Sequence, residues 1–173
     1  MLAERFEYEI LHQWSIATRS VSMMNEFLAG RSADTELFWF GVDAALGALG
    51  NISKVFFPGE KSGSRSVRRG DYMRRKYGLT EQSLLNSRKA RNGFEHFDER
   101  LDKWFSGSKR KNFVDLNISP SGGISGVDSG DFARNYEIDS HTITVFGHSL
   151  DFQALYREAE GLIEQIILNH RRN

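Results

Sequence analysis

Residues 34–57, DTELFWFGVDAALGALGNISKVFF, decide how this chain folds. Apolar side chains from Leu37 to Val55 go nearly all the way round a helix and leave no polar face. Such a helix lies at the centre of a bundle or in an interface. Asp34 predicts its cap and Pro58-Gly59 its end. Gly41, Gly47 and Gly50 would let a neighbouring backbone come close. Asp43 stands alone inside the run, which predicts either a buried functional carboxylate or a hydrogen-bonded structural one.

On the N-terminal side, Phe6, Ile10, Trp14, Ala17, Val21, Met24 and Leu28 recur at steps of three and four, which predicts a core-facing helix over about 3–29, stopped by Gly30. On the other side the composition changes. Residues 61–76, KSGSRSVRRGDYMRRK, hold seven basic residues and one acid, a local charge of +6 in a chain whose formal charge is +0. They predict a loop and then a short helix up to Gly78. A further helix is expected from near Thr80 to about Phe105.

The period then shortens to two. Val114, Leu116 and Ile118 read as alternate positions of a strand. A Gly/Ser-rich loop follows over 120–131, without the lysine of a phosphate loop. Residues 132–138 and 142–146 predict a hairpin turning at Asp139-Ser140. The last helix is expected over about 150–171, capped by Ser149 and striped by Leu155, Leu162, Ile163, Ile166 and Ile167. The expectation is therefore one mainly α domain over 1–173. It is an up-and-down bundle of four to five helices with a small antiparallel β insertion at about 112–146, before the C-terminal helix.

Composition narrows the function. The chain of 173 residues has no cysteine, which excludes disulfides, thiolate metal sites and a cysteine nucleophile. Its balanced charge gives no global reason for a nucleic-acid or membrane partner. No basic-then-apolar leader and no apolar run near 18 residues is present, so a soluble, cytoplasmic protein without membrane contact is expected. His141, His148, Asp139 and Asp151 flank the hairpin but match no metal-ligand spacing, so neither metal nor cofactor is expected.

The candidate chemistry lies in the helix predicted over about 80–105. With Arg91 at zero and 100° per residue, Glu95 falls at about 40°, Arg88 at about 60°, Asn92 at about 100° and His96 at about 140°. Phe97, Ala90, Leu101, Phe94, Trp104 and Phe105 lie opposite and would pack into the bundle. A polar arc of this kind is either a solvated face or an active site. Gly93 beside it costs roughly 1 kcal/mol relative to Ala, which makes sense where a backbone or ligand approaches.

Arg91-Asn92-Gly93-Phe94-Glu95-His96 resembles the Arg–x4–6–His signature of the HEPN superfamily, including the polar residue after the Arg. The longer string RNGFEHFDERLDKW, 91–104, looks like bacterial members of that group. The resemblance covers about residues 1–106 and 150–171. It implies an all-helical bundle and a metal-independent endoribonuclease of toxin–antitoxin or phage-defence type. Its 2′-hydroxyl attack on the adjacent phosphate would occur at a site shared by a homodimer.

On that reading His96 exchanges the proton, and imidazole as a class does this near neutral pH. Arg91 holds the extra phosphate charge, Asn92 orients the imidazole or a phosphate oxygen, and Glu95 positions Arg91 or His96. Arg65, Arg68, Arg69, Arg74, Arg75, Lys76 and Arg88 would hold RNA phosphates. The expected partners are RNA, a second copy of the chain, and an antitoxin or other protein. Many antitoxin-paired members carry a Tyr two residues after the His, where this chain has Asp98. The alternative is a HEPN-like module that binds a nucleotide, RNA or protein and cleaves nothing.

Overall fold

A computed structural model describes residues 2–59, 61–87 and 96–172. The chain divides into two compact units, Met1–Ser87 with Leu155–Asn173, and Arg88–Ala154. The chain is mainly helical, with a four-stranded sheet directly before its C-terminal helix. Among the described residues no helix is long and apolar enough to cross a membrane.

In the first unit, α1 spans Leu2–Leu28 and α2 spans Thr35–Phe56. Gly30, at φ +69°, closes α1, and its N–H donates to the Phe27 carbonyl at 2.9 Å. Asp34 caps α2 by accepting from the Leu37 N–H at 2.8 Å, a contact worth about 1 kcal/mol. Ile10, Ala17 and Met24 of α1 and Phe38, Val42, Leu49 and Ile52 of α2 are buried. The fully buried larger ones each contribute roughly 1.5–3 kcal/mol.

Gly41 lets the first two helices meet closely, since a Cβ there would lie 2.9 Å from the Ser20 carbonyl oxygen. Gly47 has no such neighbour. The predicted all-round burial of α2 is corrected at one face. Leu37, Phe40, Asp43 and Gly47 are exposed, so Asp43 is not a buried carboxylate.

The basic stretch forms α3, Ser64–Tyr77, closed by the left-handed Gly78 at φ +68°. The final helix, α5, spans Phe152–Arg172. Its cap is Asp151, which accepts from the Ala154 N–H at 2.8 Å, not Ser149. Within the first unit α5 runs antiparallel to α1. Tyr156 stacks near Trp14, with centroids 4.7 Å apart, and His170 lies near Tyr8 at 5.3 Å.

The helix expected from Thr80 does not form at its start. Residues 84–86 make a single 3-10 turn, Leu84–Asn86, between extended Ser83 and Ser87. The cause is tertiary. Glu158 accepts from the Leu84 N–H at 2.9 Å and from the Ser83 hydroxyl, and Ser53 donates to the Leu85 carbonyl at 2.5 Å. These bonds give the backbone partners that an α-helix would have supplied.

In the second unit, α4 is Phe97–Gly107. Four strands follow, β1 (Asn117–Ser119), β2 (Asn135–Glu137), β3 (Thr142–Val145) and β4 (His148–Asp151), adjacent in that order. The β2–β3 hairpin matches its prediction. The sheet is mixed rather than antiparallel, because β1 runs parallel to β2. The predicted strand forms at its end, where Asn117 and Ile118 enter β1, while Val114 makes a single bridge with Phe132 because Leu116 turns left-handed at φ +52°. Arg134 fixes that bend by holding Asp115 at 2.6 and 2.8 Å.

Strand β4 lies beyond the expected 112–146 insertion. Phe146 and Gly147, at φ +44° and +80°, form a two-residue turn of the type that matches strand twist. A row of polar side chains, Asn117, Asn135, Thr144 and Ser149, crosses the sheet on successive partners, with Asn117 bonded to Asn135 and Thr144 to Ser149.

Candidate functional site

His96 stands at the N-terminal boundary of α4 with φ −122° and ψ 44°. Its backbone is therefore not helical. The wheel drawn from Arg91 to His96 assumed one uninterrupted helix, and that assumption fails at His96. Arg88, Arg91, Asn92 and Glu95 lie outside the described residues. The His96 side chain is 55% exposed, and its Nδ1 lies 3.8 Å from Glu99 Oε1.

Of the arc expected to pack into the bundle, Ala90 and Phe94 lie outside the described residues. No residue of α4 is buried, and Phe105 is 70% exposed. Phe97 rests on Phe146 at 5.3 Å and Trp104 on Phe113 at 4.8 Å. The helix covers residues of its own unit.

The cations of α3 divide into two sets. Arg69 donates to the Lys54 and Val55 carbonyls and lies over the Phe6 ring. Arg74 donates to the Phe56 carbonyl at 2.5 Å and to Asp71 at 2.6 Å. Lys76 donates to Glu7 at 2.6 Å. These three fasten α3 to its own unit. Arg65, Arg68 and Arg75 are exposed and have no ion pair or hydrogen bond among the described residues. At 100° per residue they fall within an arc of about 80° that also holds exposed Tyr72.

Sequence reasoning missed the group that Lys76 serves. Glu7 lies on the buried edge of the α1 stripe and is 2% exposed. Its Oε1 accepts from Lys76 at 2.6 Å and from the Tyr77 hydroxyl at 2.7 Å, and its Oε2 is 3.0 Å from His170 Nε2. Burial pushes the Glu7 carboxyl up. Hydrogen bonds from Lys76 and Tyr77, with the charges of Lys76 and His170, outweigh it and hold the carboxyl below its ordinary value. The bond to Glu7 raises Lys76. Burial first, then the bond to Glu7, pushes the Tyr77 phenol up to about 12. The only signal in the sequence is an acid three residues before Ile10 on an apolar stripe.

The residues weighed for a metal each have other work. His148 Nε2 accepts from Arg100 at 2.5 Å, and His141 Nδ1 is 2.8 Å from the Tyr136 hydroxyl. Asp139 accepts from the Ser121 N–H and hydroxyl at 2.8 and 2.7 Å, and Asp151 caps α5. Among the described residues no group of three or more His, Asp or Glu is placed to hold a metal ion. A second grouping that the sequence reading missed is Trp104, Ser108 and buried Asp131, which meet beside a cleft. No protein family, curated protein or solved structure matches this chain.

Proposed function

We propose that the chain is a metal-independent endoribonuclease of the HEPN type, with a site shared by two copies and a toxin–antitoxin or phage-defence role. The observation that carries this reading is the string Arg91-Asn92-Gly93-Phe94-Glu95-His96, whose imidazole is open to solvent at the head of α4. The exposed arc of Arg65, Arg68, Arg75 and Tyr72 supports RNA as the substrate class, because it offers phosphate partners beside an aromatic ring.

In the reaction, the RNA 2′-hydroxyl gives its proton to His96 as its oxygen bonds to the adjacent phosphorus. Arg91 holds the added negative charge on the equatorial oxygens. The bond to the 5′-oxygen breaks, a proton returns to that oxygen, and a 2′,3′-cyclic phosphate end is left. Asn92 and Glu95 position the imidazole and the guanidinium.

The test is incubation of the purified chain with total RNA in EDTA. Cleavage with cyclic-phosphate ends is expected, reduced at least about 100-fold by His96→Ala. Arg91→Ala should be equally inactive. If the unmodified chain leaves RNA intact, the nuclease reading fails and a non-catalytic binding module replaces it. Light scattering tests the shared site, and a monomer at micromolar concentration would overturn it.

A further inference from the structure

We infer that a cleft of about 530 Å³ in the sheet-bearing unit takes an unpaired nucleotide of a single-stranded nucleic acid, with its base on the Trp104 indole and its phosphates on Lys103 and Lys109. The site lies outside the Arg91–His96 string and does not depend on cleavage.

Trp104 forms a wall of this cleft, and its ring is held in one orientation. Its Nε1 donates to Asp131 Oδ1 at 2.7 Å, and the same oxygen accepts from the Ser108 hydroxyl at 2.7 Å. Asp131 is 4% exposed, so both hydrogen bonds of this anchor are shielded from water at the acceptor. The Phe113 ring braces the indole, at 4.8 Å and 59°. An aromatic surface fixed before the ligand arrives loses little freedom on binding.

The charge around the ring is positive. Arg100, Lys103 and Lys109 line the cleft, against Asp128 and the already bonded Asp131. Exposed Arg110 and Lys111 continue past it, and residues 103–111, KWFSGSKRK, contain four cations and no acid. Lys111 Nζ lies 4.6 Å from the exposed Phe105 ring and 5.7 Å from Trp104.

An aromatic ring flanked by cations suits a ligand that carries a flat ring and an anion on one unit. The cleft volume falls within the range of small-ligand sites and suits one nucleotide. The cations beyond it have no use for a free nucleotide but would meet the next phosphates of a strand.

The experiment uses the His96→Ala chain, so that the probe stays intact, and follows the anisotropy of a fluorescein-labelled uridine RNA decamer. Trp104→Ala should weaken binding roughly tenfold or more, while Trp104→Phe keeps most of it. Lys103→Ala/Lys109→Ala should make the salt dependence shallower, by about 0.7 in log–log slope per lost phosphate contact. A DNA decamer of matching sequence that binds equally well supports the site too, since neither stacking nor phosphate contact reads the sugar.

Three results would overturn the inference: unchanged affinity in both variant sets, equal binding of an RNA duplex, or uridine monophosphate binding as tightly as the decamer. The lysine pair keeps the test valid if Trp104→Ala disturbs the fold. Absence of RNA cleavage by the unmodified chain would count against the nuclease proposal and leave this assay's result standing.

Discussion

Two basic stretches, 61–76 and 103–111, resemble each other in the sequence and differ in the structure. In the first, Arg69, Arg74 and Lys76 turn their charges toward carbonyls, aromatic rings and the buried Glu7 carboxylate. In the second, Lys103, Lys109, Arg110 and Lys111 are exposed beside an anchored indole. A cluster of positive charge thus has two possible uses, and counting residues does not separate them. What separates them is how closely the neighbouring backbone engages them, since in the second stretch Arg110 reaches the Gly126 carbonyl only at 3.4 Å. The end of α2 supplies carbonyls to α3, at Lys54, Val55 and Phe56.

The largest expected effect tests the inward-turned set. Lys76→Ala would take its lysine partner from the buried Glu7 carboxylate, and we predict a loss of about 3 kcal/mol in chemical denaturation. Arg65→Ala, on the exposed arc, should stay within about 0.5 kcal/mol. Equal losses would erase the distinction between the two uses of charge.

The same cluster sets a pH dependence. Tyr77 and Lys76 both titrate above their ordinary values in the folded chain. Their contribution is fully present below pH 10, the ordinary phenol value, and is lost as pH rises through the folded Tyr77 value of about 12. Glu7, held low, contributes above its ordinary value and loses that contribution as pH falls through its folded one. Thermal melts from pH 9 to 12 should show a decline that Tyr77→Phe makes shallower. An unchanged slope would remove Tyr77 from the account.

A smaller effect is expected where α1 and α2 meet at Gly41. Gly41→Ala places a methyl 2.9 Å from the Ser20 carbonyl oxygen, and we predict a cost of roughly 1–3 kcal/mol by denaturation. Gly47→Ala, with nothing nearby, should stabilise α2 by up to about 1 kcal/mol. The smallest effect separates the two surfaces by ionic strength. Arg65→Ala, Arg68→Ala and Arg75→Ala together should reduce RNA affinity with little change in the part of the tryptophan fluorescence response that Trp104→Phe removes. Equal losses of signal at both surfaces would mean a single shared contact.

Helix stripes, caps and stops were legible because they are local. Asp34, Gly30 and Gly78 act within one turn of their own positions. The β2–β3 hairpin was legible for the same reason. The failures have distant causes. Residues 80–87 follow Glu158 and Ser53 rather than their own helical pattern. Strand β4 depends on a Phe-Gly turn that lacks the usual Asn or Asp signal. Of the candidate site, the cationic character of α3 could be read, but not which of its heads were already occupied. The Trp104 anchor was invisible because Asp131 lies 27 residues downstream of its partner.

One contact has a consequence for proteolysis. His170, in the last turn of α5, lies 3.0 Å from the carboxylate of Glu7 in the second turn of α1. Cleavage of the backbone just before His170 would open the interior around Glu7 to water. Such a nick would resemble a core lesion rather than a surface cut.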